Sequence, residues 1–240
     1  MRNVLLSGGI YHPFADTSDW LVQRFANQGV ESVITEDVGE AVSELHNADC
    51  LTVNALRWRM LNDPKYAEHR KRWAFDMPED WAQRITEFVE QGGALLALHT
   101  ASICFDSWYG YGALLGGRWV WQRSHHPEPG RCLIRTAGEH AIVSATADLP
   151  SEHASQDEVY HRLELASDSV PLLQARTEPA TPGVVDEETG IGAWQTVAWC
   201  REEGAGRIVY CALGHDRQAL ETPAVTQFLD RSMRWLLDEL

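Results

Sequence analysis

The stretch Gly92-Gly93-Ala94-Leu95-Leu96-Ala97-Leu98-His99-Thr100-Ala101 decides the fold. Its two glycines turn the chain out of a preceding helix, and the apolar run that follows has the length of a strand covered on both faces. An imidazole then stands at the carboxyl end of that strand, where open α/β sheets place their ligand crevices. Residues 207–213 (Arg-Ile-Val-Tyr-Cys-Ala-Leu) repeat the design and lead into Gly214-His215-Asp216. Two buried strands that each end in histidine point to one site.

Outward from this stretch, the first half alternates strand and helix signals as in a parallel sheet built from crossover units. Residues 4–6 form a first strand, followed by Gly8-Gly9 and His12 at the same sheet edge as His99. Thr17 or Ser18 caps a helix whose Leu21, Val22 and Phe25 share a face, and Gly29 closes it. Strands follow at 31–35 and 50–53, separated by a short helix over 39–47. Residues 54–76 are polar, aromatic and aperiodic, an excursion over the sheet edge whose role is open. Pro78 opens a helix with a core stripe of Trp81, Ile85, Phe88 and Val89, and Thr100-Ala101-Ser102 opens another. After Gly117 the pattern shifts to shorter strands, including 132–136 and 170–175, and a hairpin turning at 202–206. Thr222-Pro223 starts a last helix with Val225, Phe228, Leu229 and Leu236 on one face. The expectation is one α/β domain over residues 1–240, with added antiparallel strands in its second half.

The chain has 240 residues and a formal charge of −15, which disfavours a phosphate-backbone binder and makes nucleic acid an unexpected partner. No run is long and apolar enough for a membrane span, and the first strand begins too early for a signal peptide. Five dispersed cysteines without a Cys-x-x-Cys pair argue against a disulfide framework and for a reduced, cytoplasmic setting. Ten tryptophans are many for this length. Trp108 and Trp119, near His99 in sequence, are the favoured sugar-stacking candidates, because indole faces pack well on apolar sugar faces; Trp81 and Trp199 read as core.

A longer order of motifs joins the two histidine strands. Gly-Gly-x5-His-x-Ala is followed by Leu115-Gly116-Gly117, His126-Pro127, His140-Ala141-Ile142 and Asp157-Glu158-Val159-Tyr160. Val197-Ala198-Trp199, Gly204-Ala205-Gly206-Arg207-Ile208-Val209-Tyr210 and Leu213-Gly214-His215-Asp216 complete the series. This order resembles the ThuA-like (trehalose utilisation) family over nearly the whole chain. The family's Gly-Gly-x-Phe-x-x-His-Pro is altered here, with Trp119 at the aromatic position and the His-Pro displaced, and its His-Pro-Ile reads His140-Ala141-Ile142, so the roles of His125, His126 and His140 stay open.

The resemblance implies a flavodoxin-like parallel core similar to that of class I glutamine amidotransferases. Those enzymes carry a nucleophilic cysteine where this chain has His99, and Cys104 lies five residues further on, so glutaminase chemistry is not expected. It also implies carbohydrate catabolism, with a disaccharide or 3-keto sugar as small-molecule substrate. His99, His215 and His12 are then proton-transfer groups or metal ligands. Asp157 or Glu158, by themselves an acidic turn, supply a carboxylate, and Tyr160 and Asp216 add substrate contacts. Three imidazoles with an open position suit zinc or a similar divalent cation, although no local His spacing argues for a metal independently. Isomerisation, elimination, hydrolysis and a noncatalytic sugar-binding or assembly role all remain open, as does homo-oligomerisation.

Overall fold

The computed structural model describes residues 1–144, 151–179 and 183–240. Its strands are β1 (Arg2–Gly8), β2 (Glu31–Thr35), β3 (Cys50–Ala55), β4 (Ala94–Leu98), β5 (Gly117–Arg118), β6 (Gly130–Thr136), β7 (His153–Asp157), β8 (Glu164–Leu165), β9 (Val170–Thr177), β10 (Gln195–Glu203) and β11 (Gly206–Cys211). Its α-helices are α1 (Phe14–Ala26), α2 (Val38–Glu44), α3 (Arg70–Trp73), α4 (Glu79–Glu90), α5 (Tyr111–Leu115), α6 (Arg217–Leu220) and α7 (Pro223–Leu236).

Nine strands form one sheet in the order β2-β1-β3-β4-β11-β10-β9-β6-β7. The first five are parallel, and β11, β10, β9, β6 and β7 pair antiparallel in succession. Counting β11 as the fifth strand, the parallel half has the 2-1-3-4-5 order of flavodoxin-like sheets, whose ligands sit beyond the carboxyl ends of the strands. The apolar runs explain this half: β3 and β4 are buried along their whole length because helices cover both faces. Helices α1 and α7 pack together over one face, tied by Arg24 to Asp230, and α2 and α4 pack on each other over the opposite face. The β10–β11 hairpin turns where expected, at Glu203 and Gly206.

Several boundaries differ from the sequence reading. Helix α1 begins at Phe14, so Thr17 and Ser18 lie inside it rather than capping it. Their hydroxyls accept from the buried Asn54 amide, at 2.9 and 3.0 Å, and the Ser18 hydroxyl meets that of Ser7 at 2.8 Å. A buried polar network recruited residue types that local rules assign to caps. No helix opens at Thr100: a single 3₁₀ turn runs from His99 to Ile103. Strand β7 has no counterpart in the reading, since His153-Ala154-Ser155-Gln156-Asp157 lacks apolar alternation and is paired on one side only, against β6. Trp81 is half-buried against Phe75, and Trp58 in the aperiodic segment is buried, its indole N–H donating to Asn62 at 3.0 Å. Trp199 is buried, as expected.

Strand β7 is five places from β4 in the sheet, yet Asp157 at its end reaches the loop after β11. Register shifts between Thr196 and Trp199, where β10 pairs with β9, mark a bulge. Bulges bend and twist a strand, and the antiparallel half curls until its edge closes over the carboxyl ends of β4 and β11.

Candidate functional site

His12, His99, Glu158 and His215 each sit on a turn that follows a strand. Gly9, at φ 154°, turns the chain after β1; a side chain there would meet Phe14 at 2.7 Å and Leu56 at 2.8 Å. The turn presents His12, whose Nδ1 lies 3.0 Å from the Ile10 carbonyl. After β4, His99 itself adopts φ 46°, a left-handed conformation that lifts its buried ring over the sheet edge. Its carbonyl accepts from the Tyr210 hydroxyl at 2.8 Å, and its Nδ1 approaches the Ala212 carbonyl at 2.6 Å. A carbonyl only accepts, so Nδ1 carries the proton on both rings and each Nε2 keeps its lone pair when the ring is neutral.

After β11, Asp157 holds the turn bearing His215. One carboxylate oxygen accepts from Gly214 N–H at 2.8 Å, and the other from His215 and Glu158 N–H at 3.2 and 2.8 Å. Burial nevertheless pushes the Asp157 carboxyl up to about 6. Asp157 therefore positions, and Glu158 projects into the site. Asp157→Asn places amide hydrogens against one of those donors and should cost about 1–3 kcal/mol. A lowered Tm with a disturbed His215 is the expected result; an unchanged Tm contradicts this role.

Glu158 Oε2 lies 3.2 Å from His99 Nε2, 3.6 Å from His12 Nε2 and 3.6 Å from His215 Nδ1. Its other oxygen meets His126 Nδ1 at 2.9 Å. Burial opposes ionisation of Glu158, but the imidazoles of His126 and His215 outweigh it and hold the carboxyl well below its usual range. Burial pulls His99 down to about 4 against the attraction of Glu158, so that ring is neutral near pH 7. The pull of Glu158 raises His215, and it raises His126 against the opposing effect of burial.

A cavity of about 450 Å³ opens above this cluster, with His12, Glu158, His126 and His215 at its floor. Tyr11, Trp58, Tyr66, Trp119, Trp121 and Tyr160 supply aromatic walls. Tyr160 packs on the His99 ring at 4.7 Å and on Trp119 at 5.1 Å. Such a cleft, mostly apolar with a few convergent polar groups, has the make-up of a small-molecule site. A larger cavity of about 540 Å³, between Leu45, Phe88, Gly93 and Leu237, lies at the opposite, amino-terminal end of the parallel strands, away from the cluster.

Residues 7–236 match the family model described as trehalose utilisation, ThuA. The chain belongs to the ThuA family. No curated protein matches it. Among solved structures it is similar to a ThuA-like protein from Parabacteroides merdae, with a TM-score of 0.74 and 18% identity over 99% of this chain and 90% of that one. A ThuA-like protein from Bacteroides uniformis gives 0.70 at 14% identity, over 98% and 91% of the two chains. A protein from Salmonella typhimurium described as cytoplasmic gives 0.60 at 12% identity, over 98% and 99%. At these identities the likeness is one of fold.

Within this ThuA-family fold, His12, His99, His215 and Glu158 meet in one cluster, with Trp119 and Tyr160 in its wall. Trp108 does not join them. The chain leaves His99 by one short turn and crosses to the segment that follows β3, where Phe105 N–H donates to the Arg57 carbonyl at 2.7 Å, and Trp108 packs instead on Tyr111 and Phe105. Asp216 is engaged as the cap of α6, accepting from Ala219 N–H at 2.9 Å. His140 lies elsewhere, near Cys200, and His125 stacks on His161. His126, left open by its displaced motif, is brought onto Glu158. The aperiodic segment 54–76 contributes Leu56, Trp58, Lys65 and Tyr66 to the cavity; its density of aromatic residues was the signal for this.

Cys104 is buried in extended backbone just past the 3₁₀ turn rather than in a helix, its thiol donating to the Ala55 carbonyl at 3.1 Å. Burial pushes that thiol up to about 12, which leaves almost no thiolate near neutral pH.

Proposed function

We propose that this protein is a cytoplasmic enzyme of carbohydrate catabolism that acts on a disaccharide or a 3-keto sugar derivative in the aromatic cavity. Supporting this reading is one observation: three imidazoles and a buried carboxylate converge at the floor of a cleft whose walls are aromatic. Membership of the trehalose utilisation family points to sugars, and the tryptophan and tyrosine rings fit their apolar faces. Four breaks in the buried polar order, at His12 Nε2, His99 Nε2, His215 Nδ1 and Glu158 Oε2, which have no hydrogen-bond partner, favour catalysis over binding alone. A sugar-binding module has no need of such an array, whereas acid–base or metal-assisted chemistry uses it. The five cysteines are unpaired, and among the described residues no helix is long and apolar enough to cross a membrane.

In this reading, His126 is the group best placed to exchange a proton with substrate. Its Nδ1 is directed to Glu158, and the ring borders the cavity and packs on Tyr160. Trp119 and Trp121 hold the sugar ring, so Trp121→Ala should raise KM about 5- to 20-fold with little change in kcat. The deciding experiment incubates the purified protein with trehalose, other disaccharides and their 3-keto derivatives, with and without added divalent cations, and follows product by mass spectrometry. Absence of turnover on all of them, together with retained sugar binding, would replace the enzyme with a binding protein. Glutamine should release no ammonia; release that is lost in Cys104→Ser would overturn the assignment of the site.

A further inference from the structure

We propose that His12 Nε2, His99 Nε2, His215 Nδ1 and Glu158 Oε2 are the ligands of a divalent transition-metal ion of the zinc class, with a coordination position open to the aromatic cavity. These four atoms all lie within 4.8 Å of one another, the one group of its kind among the described residues. For metal–nitrogen and metal–oxygen bonds of the usual zinc lengths, the edges of a tetrahedron are about 3.3–3.5 Å. The three edges from the carboxylate oxygen are 3.2, 3.6 and 3.6 Å, and the nitrogens, within 4.8 Å of one another, draw closer as the ion binds.

The hydrogen-bond inventory favours a cation over a solvent molecule. Nδ1–H of His12 and of His99 is committed to the Ile10 and Ala212 carbonyls, so neutral rings direct the Nε2 lone pairs at Glu158 Oε2. All of these atoms are buried and without a partner. Lone pairs facing a carboxylate oxygen repel, and a water has two hydrogens to offer at least three such faces. A positive ion in the middle satisfies every one.

The surroundings are also those of a metal centre. Metal-ligating histidines hand their other N–H to a carbonyl or carboxylate, which fixes the tautomer and the ring orientation, and both His12 and His99 do so. His126 fixes the carboxylate from behind through Oε1. Neutral imidazoles with one carboxylate suit zinc, iron, cobalt or nickel, whereas magnesium and calcium call for a site built of oxygens. His12, Glu158 and His215 border the cavity while His99 lies beneath them, so the free position faces the space assigned above to the sugar. The chemistry supplied there would be polarisation of a keto or hydroxyl oxygen. That use of the ion rests on the carbohydrate reading; its binding does not.

The test is therefore made without sugar. Protein stripped with a chelator is titrated with Zn²⁺, Co²⁺ and Mg²⁺ alone by calorimetry, and the Co²⁺ form is read by its visible absorption. Two variants remove a ligand atom and keep the fold. Asparagine at position 99 accepts the left-handed backbone and can still donate to the Ala212 carbonyl, so His99→Asn deletes only the metal-facing nitrogen; Glu158→Gln keeps the shape of the carboxylate. His46, exposed and remote, provides the control His46→Ala. Expected are one Zn²⁺ per chain, a Co²⁺ band of four- or five-coordinate intensity, weak Mg²⁺ binding and a loss of Zn²⁺ affinity above about 100-fold in both ligand variants but not in His46→Ala. Failure to bind Zn²⁺ or Co²⁺ stoichiometrically, or equal affinity in folded His99→Asn and Glu158→Gln, overturns the proposal. Metal binding without turnover of any sugar would overturn the carbohydrate reading alone.

Discussion

Glu158→Gln is expected to reduce kcat on the sugar substrate by about 10³-fold or more while leaving the protein folded and at least as stable as the metal-free wild type. The carboxylate is buried, and its Oε2 faces the lone pairs of His12 and His99. Glutamine places an amide at that point and can donate to them, so the same change that removes the charge repairs the polar order. A gain in stability joined to loss of activity is the expected trade at a site whose groups are arranged for chemistry rather than for folding. Steady-state kinetics and thermal melts on the same preparation check both halves. Turnover within a few-fold of wild type would remove Glu158 from the site's chemistry. His126→Ala should fall short of this effect, because it removes the proton exchange assigned to that ring but leaves Glu158 and the other three imidazoles in place.

Trp199→Ala should cause the largest loss of stability of any single change considered, about 3–5 kcal/mol. Trp199 is fully buried in β10, its indole N–H donates to the Leu115 carbonyl at 2.7 Å, and its ring packs on Tyr210 at 4.3 Å. A side chain on Gly117 would meet that ring at 2.5 Å, which shows how closely the backbone of β5 approaches it. Alanine leaves a cavity and an unpaired buried carbonyl together, and for a chain of this size each kcal/mol lowers Tm by roughly 2–4 °C. Trp199→Phe separates the two causes, retaining most of the packing and losing the hydrogen bond, for about 1–3 kcal/mol. A chemical-denaturation cost below about 1.5 kcal/mol for Trp199→Ala would show that the core collapses around the gap. Tyr210 donates its hydroxyl proton to the His99 carbonyl, so the loss should also loosen the turn on which His99 stands.

The parallel half of the fold was legible because each of its strands carries its own evidence: an apolar run bounded by glycine or polar residues, with amphipathic helices between. The β10–β11 hairpin was legible for the same reason. Strand β7 was not, since an edge strand with one paired side needs no apolar alternation and its sequence has none. The helix expected after His99 failed on a competing demand: the left-handed residue at the strand end and the crossing of the chain to the segment after β3 leave room for one turn only.

By itself the sequence determined the family and the order of strands that end in His12, His99 and His215, because local periodicity and ordered motifs survive without coordinates. It also named the acidic pair on which the site depends, but not which member does what. Tertiary structure decided that division: three backbone N–H groups from two separate loops engage Asp157, and the freed Glu158 faces imidazoles contributed by the widely separated turns of His12, His99 and His215. It also decided that His126 and Trp121 belong to the cavity and Trp108 does not. Those outcomes follow from how far the antiparallel half curls over the sheet edge, a long-range bend that nearness in sequence does not encode.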